Sequence, residues 1–151
     1  IVLVEEGKVL MQQRLKEPFY GHWGVPSGKI KFNQFILEAA KTEFFEETGF
    51  FADLEIKGLY CAKTFCKEQQ LFNHQIYIIR AKNPRGNLLT ITREGKNEWI
   101  NIAELKNLKI FPDTPKLIEI VMQDRFTILE EELVLENDVF TSEKTLNETR
   151  F

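Results

Sequence analysis

Three glutamates crowd the stretch EFFEETGF, residues 43 to 50: Glu43, Glu46 and Glu47, with Gly49 two positions after the last. Carboxylates at this density can coordinate a hard divalent cation, accept a proton from an attacking water, or do both. In a helix advancing 100° per residue, Ile36, Ala40, Glu43 and Glu47 fall within about 60° of one another, with Glu46 on the flank next to Glu43. The stripe begins apolar, as where a helix packs on a sheet, and ends in charge. Acids at a helix C-terminus oppose the dipole, and pairs at i,i+3 and i,i+4 repel; each effect costs about 0.3 to 1 kcal/mol when exposed and more when shielded. Mg²⁺ or Mn²⁺ would offset that repulsion, because carboxylate oxygens are the ligands these ions prefer. A solvated acidic face is the competing reading, and the acids alone leave both open.

The elements that must position these acids can be read outward from them. Residues 35 to 48 contain no Gly or Pro, Ala39 and Ala40 favour helix, and Gly49 stands as a stop just past the end. Upstream, KEPFYGHWGVPSGK carries Pro18, Gly21, Gly24, Pro26 and Gly28, which predicts a long shaped loop. Before it, the apolar runs at residues 1 to 4 and 9 to 11 are joined by Glu5, Glu6 and Gly7, a hairpin pattern. Downstream, ADLEIKGLYCAKTF and LFNHQIYIIRAK read as strands, NPRGN as a turn, and EWINIAEL as a short strand entering a helical turn. Thr114 as N-cap with Pro115 at N1 predicts a helix to about Asp124, with Leu117, Ile118, Val121 and Met122 at helical spacing. ILEEELVLENDVF fits strand or helix, and TSEKTLNETRF is polar enough to be a tail. This order predicts an α/β fold, a sandwich around a mixed β-sheet, with too few helices for a doubly wound parallel sheet.

Bulk properties narrow the function classes. A chain of 151 residues, 43% hydrophobic with thirteen Phe, is one compact domain with a sizeable core. A net charge of -3 lacks the basic excess of a nucleic-acid polymer binder, while a small phosphorylated ligand stays open. Cys61 and Cys66, with only His22 and His74 beside them, predict reduced thiols in a cytoplasmic protein rather than a disulfide framework or a zinc site. No apolar run reaches membrane-spanning length. Ile1 opens inside an apolar run without a Met, so residues ahead of it are expected.

Together, GKIKFNQFILEAAKTEFFEETGF resembles the signature of the Nudix hydrolases: Gly, five residues, Glu, seven residues, then Arg-Glu-apolar-any-Glu-Glu-any-Gly-apolar. Gly28, Glu43, Phe44, Glu46, Glu47, Gly49 and Phe50 fit, with Gly28 and Gly49 as its structural glycines. The likeness extends to KVLMQQR, GHWGVPSGK and EWINIAEL, and so covers roughly residues 1 to 125. It implies an α/β/α sandwich that hydrolyses a nucleoside diphosphate linked to another moiety, with Mg²⁺ or Mn²⁺ held on the box helix. Carried over, Glu46 and Glu47 are metal ligands, Glu43 is a ligand or the base that activates water, and the Ser27 carbonyl completes the shell. Glu94 and Glu98 are candidates for an additional acid from outside the box. Trp23, Tyr20 and Arg14 are candidates for substrate binding. Residues 1 to 127 form the hydrolase domain, and residues 128 to 151 an extension packed on the same domain or at a homodimer interface.

Two positions depart from the signature. Gln34 replaces its first acid and brings no charge, and Thr42 replaces the arginine expected to pair with the box carboxylates. Lys29, Lys31 or Lys41 could supply a substitute cation, though Lys41 lies about 160° from Glu43 around the helix. The resemblance therefore implies a metal-dependent pyrophosphohydrolase, or a catalytically impaired module that binds a nucleotide or protein. Survival of all three acids favours the enzyme. Oxidised nucleoside triphosphates, ADP-ribose and dinucleoside polyphosphates are all open as substrates.

Overall fold

The computed structural model describes residues 1–137 and 139–151. The two apolar runs at the start pair as β1 (Val2–Glu5) and β2 (Lys8–Arg14), antiparallel with Val4 facing Val9. Glu6 and Gly7 turn the chain with φ of 49° and 76°, the mirror-image turn that matches strand twist. After the Pro- and Gly-rich loop and its short β3 (Trp23–Gly24) come helix α1 (Ile36–Thr48), β4 (Phe50–Cys66), β5 (Gln69–Gly86) and β6 (Gly95–Asn101). A 3-10 helix (Ile102–Asn107), α2 (Thr114–Met122), β7 (Thr127–Glu136) and β8 (Val139–Arg150) complete the order.

β2 carries β6 along one edge and β1, then β3, along the other. β1 lies parallel to β5, β5 antiparallel to β4, β4 parallel to β7, and β7 antiparallel to β8. Alternation along the strands builds a core on each face. Val2, Val9, Met11, Tyr60, Ile78, Leu129 and Leu133 pack with Leu105, Leu117, Ile118 and Val121, which belong to the 3-10 helix and α2. Leu3, Leu10, Ala81 and Phe50 pack with Phe44 of α1. This is the expected α/β/α sandwich around a mixed sheet.

Several local expectations need correction. NPRGN is not a turn: β5 runs through it to Gly86, and Asn83, at φ 52°, accommodates Pro84 where the register with β4 shifts between Phe51 and Asp53. TSEKTLNETRF is not a tail but most of β8, held by its ladder to β7. Residues 128 to 140, open between strand and helix, are strand except at the turn residue Asn137; Asp138 lies outside the described residues. Leu129, Leu133 and Leu135 of that segment are buried. The cap of α2 is Asp113 rather than Thr114, and the helix stops at Met122 rather than Asp124. Both cysteines lie on β4 and are free. Among the described residues no helix is long and apolar enough to cross a membrane.

Candidate active site

α1 starts without a polar N-cap. Phe35 holds the cap position, and the Glu38 carboxylate accepts its N–H at 3.0 Å, so one exposed N-terminal donor is satisfied from the first turn. At the other end Gly49 takes the left-handed conformation, φ 78°, and donates to the Phe45 carbonyl at 2.8 Å. With Phe44, Ala39 and Ala40 buried on its inner side, the helix brings Glu43 and Glu47 over the segment that enters from β3.

Two contacts seat these acids. A Cβ on Gly28 would overlap Cγ and Cδ of Glu43 and come within 2.7 Å of its Oε2, so only glycine lets that side chain cross the backbone here. The Ser27 N–H donates to Glu47 Oε2 at 3.0 Å. Glu47 is only 8% exposed. Burial pushes its carboxyl up to about 7 against the pull of the Ser27 N–H, and the charges of Glu43 and Glu94 push the same way. Glu94 and Glu47 line one small cavity of about 160 Å³ together with Gln12, Arg14, Ser27 and Phe111.

The other predicted residues divide. Glu46 is exposed and lines a separate groove with Lys41, Thr42, Phe45 and Arg85. Glu98 pairs with Lys96 on the face of β6 opposite Asn97, away from α1. Trp23 is buried in the α2-side core. Tyr20 is 57% exposed. Arg14 lines the small cavity while its Nε donates to the Lys16 and Pro18 carbonyls at 3.0 and 2.6 Å.

The departures from the signature have local explanations. Thr42 donates its hydroxyl to the Glu38 carbonyl of its own helix at 3.0 Å and does not engage the acids. Gln34 accepts the Lys31 N–H at 3.2 Å, closing the turn ahead of α1. Of the three candidate lysines, Lys31 approaches Glu43, with Nζ 3.9 Å from Oε1. That pair is exposed on the lysine side and contributes at most about 1 kcal/mol.

Among the described residues no group of three or more His, Cys, Asp or Glu side chains forms a preformed metal cluster. The donor chemistry nevertheless fits a hard divalent cation: oxygen ligands, a glycine cradle under Glu43, and negative charge that Lys31 only partly offsets.

Two residues were missed from sequence. Asp113 lines a cavity of about 500 Å³ with Phe19, Tyr60, Phe111, Leu133 and Phe140, and this cavity shares Arg14, Gly24, Val25, Ser27 and Phe111 with the carboxylate cleft. Burial lifts the Asp113 carboxyl to about 6, helped by the charges of Glu131 and Glu143. As the residue before a Thr-Pro helix start, Asp113 carried no signal beyond capping. Asn97 reaches α1 from β6, and its signal was a polar residue alternating in phase with the half-buried Trp99.

Comparison with known proteins agrees with the fold. The NUDIX domain model matches residues 1–121. The uncharacterized Nudix hydrolase YvcI of Bacillus subtilis (strain 168) is 24% identical over 123 residues, 81% of this chain and 76% of that protein. A provisionally named 8-oxo-dGTP diphosphatase of the same organism is 38% identical over 73 residues, 48% of this chain and 47% of its own length. The crystal structure of a MutT protein from Bacillus halodurans superposes with a TM-score of 0.78 at 26% identity, covering 96% of this chain and 94% of that one. With four-fifths of its length matched by the family model and the same fold in a MutT protein, the chain belongs to the NUDIX family.

Proposed function

We propose that this chain is a divalent-metal-dependent pyrophosphohydrolase acting on nucleoside triphosphates or related nucleoside diphosphate derivatives. The observation that carries this reading is the adjacency of two spaces: the cleft lined by Glu47 and Glu94 and the aromatic-walled cavity containing Asp113 share Arg14, Gly24, Val25, Ser27 and Phe111 in their linings. A diphosphate in the cleft would place its nucleoside in that cavity. Phe19 and Phe111 offer ring faces or edges, and Asp113 offers carboxyl oxygens to a base that presents N–H donors, as the N1 and N2 edge of guanine does.

Glu47, Glu43 and Glu94, with the Ser27 carbonyl, would hold the cation; Glu46, which faces the separate groove on the flank of α1, would have to turn toward them to contribute. When bound, the cation withdraws charge from the phosphate oxygens and acidifies a coordinated water. Glu43, threaded past Gly28, would take the water's proton. The water oxygen bonds to phosphorus, the bridging P–O bond breaks, and the leaving phosphate departs with the electron pair. Glu43 then returns its proton to solvent.

The test is release of phosphate or pyrophosphate from a panel of nucleoside triphosphates, 8-oxo-dGTP, ADP-ribose and a dinucleoside polyphosphate, in Mg²⁺, Mn²⁺ or chelator, with Glu47→Gln as the blank. Metal-dependent release that the blank lacks, strongest with guanine nucleotides, is the expected result. Silence across the panel in a protein that still binds nucleotide would replace the enzyme with a binding module.

A further inference from the structure

Asn97 is 1% exposed, and its side-chain amide is bonded on both sides. Nδ2 donates to the Glu47 carbonyl at 2.6 Å and to the Leu89 carbonyl at 2.7 Å, and Oδ1 accepts from Gln12 Nε2 at 3.3 Å. Because both of its acceptors are main-chain carbonyls, the amide can stand only one way round, and this forces Gln12 to present its own amide as donor. The Asn97 main-chain N–H is already bonded to the Thr90 carbonyl at 2.9 Å. Its side chain is therefore committed to three other segments: the last turn of α1, the segment leading toward Glu94, and the wall of the cleft formed by Gln12.

A cap for α1 would be the plainer role, since the last carbonyls of a helix lack partners. That end already has others. Thr48 O accepts the Leu89 N–H at 2.8 Å, and Phe45 O accepts the Gly49 N–H at 2.8 Å. What Asn97 adds is a side-chain link, beside the main-chain bond from Leu89 to Thr48, that ties both elements which bring Glu47 and Glu94 to one cavity to β6 and to Gln12.

We propose that Asn97 is a positioning residue for the carboxylate cleft, setting the distance between Glu47 on α1 and Glu94 on the loop before β6, and so the affinity of the pair for a divalent cation. The proposal rests on the metal-dependent reading above. Outer-shell residues of this kind are worth about 10- to 100-fold in metal affinity.

The experiment is a double-mutant cycle read by Mn²⁺ affinity: wild type, Asn97→Ala, Glu94→Ala and the double variant, with Glu47→Gln as control. Asn97→Ala should weaken Mn²⁺ about tenfold in the wild-type background and less than about twofold once Glu94 is gone. An unchanged affinity, or the same loss in both backgrounds, overturns the proposal and leaves a structural cap. If wild type and Glu47→Gln bind Mn²⁺ alike, the site reading itself has failed. Amide hydrogen exchange without metal then decides Asn97: Asn97→Ala should speed exchange at Gly49 and Glu94 together, and unchanged exchange at Glu94 overturns the link. Should Asn97→Ala precipitate, Asn97→Ser, which keeps one short donor, is read the same way.

Discussion

Glu47 and Glu131 are both buried, and their surroundings are opposite. Glu131, on β7 under α2, receives the Tyr60 hydroxyl at 3.0 Å, the Thr145 hydroxyl at 2.8 Å and the Lys116 ammonium, which also bonds Glu143 at 3.0 Å. Glu47, on α1, receives the Ser27 N–H and has Glu43 and Glu94 as neighbours. A buried carboxylate supplied with a cation and several donors belongs to the framework. One with a single donor and two like charges, opposed by the chain's first amino group but with no side-chain cation bonded to it, is left short of positive charge. Burial alone does not distinguish these two acids; the partners do.

Exchanging the two acids for uncharged residues gives the largest effects and would break this contrast if they came out alike. Glu47→Gln should lower metal-dependent turnover at least about 100-fold while leaving metal-free stability at pH 8 unchanged or higher. Glu131→Ala should do the reverse, costing on the order of 3 kcal/mol in urea unfolding because Lys116 and Tyr60 lose their partner, with turnover per folded molecule retained. Loss of Mn²⁺ binding in a stable Glu131 variant would erase the distinction.

A pH series sharpens it. The Glu47 carboxyl sits near 7 in the fold against an ordinary value of 4.5, so the metal-free folded chain keeps a proton that the unfolded chain has released. The contribution of Glu47 to stability must then fall, by on the order of 2 to 3 kcal/mol, as pH rises from about 4.5 to 7, while the buried Ile1 amino group, lowered to about 6, adds the opposite slope between about 6 and 8. Denaturant midpoints in chelator at pH 5, 6, 7 and 8 check this. Glu47→Gln should flatten most of the falling slope, and Asp113→Asn the part below about 6.

Smaller effects test the geometry around the acids. Gly28→Ala, by displacing Glu43, should reduce turnover about tenfold with little change in melting temperature. Thr42→Arg should leave turnover unchanged or raise it modestly, since Thr42 bonds its own helix and offers the acids nothing. A steep loss in the arginine variant would show that the acids are already balanced by Lys31.

Much of this was legible before any coordinates. Breaker-free residues ending at Gly49 gave α1, and the alternation around Glu5, Glu6 and Gly7 gave the first hairpin, because both signals are local. β8 was not legible: its side chains are polar on both faces, and what makes it a strand is a ladder to β7 that composition does not record. Pro84 hid the end of β5 in the same way, since a bulge accommodates a residue that a regular ladder would reject. Around α1, Glu43 and Glu47 follow from helix periodicity, but that Glu94 rather than Glu98 lines the cleft depends on the path of the loop before β6, which composition does not record. Asn97 and Asp113 matter through partners distant in sequence.

The parallel pairing of β4 with β7 carries a further consequence. Gly58 to Phe65 find their partners in Thr127 to Val134, across two helices and two intervening strands. During synthesis, the β4–β5 hairpin can close early, yet the outer edge of β4 and the apolar residues around Tyr60 and Ala62 stay open until β7 follows. Such late, non-local closure makes folding slow and leaves a sticky edge exposed meanwhile. The nascent chain, more than the finished protein, is the form that needs protection from aggregation.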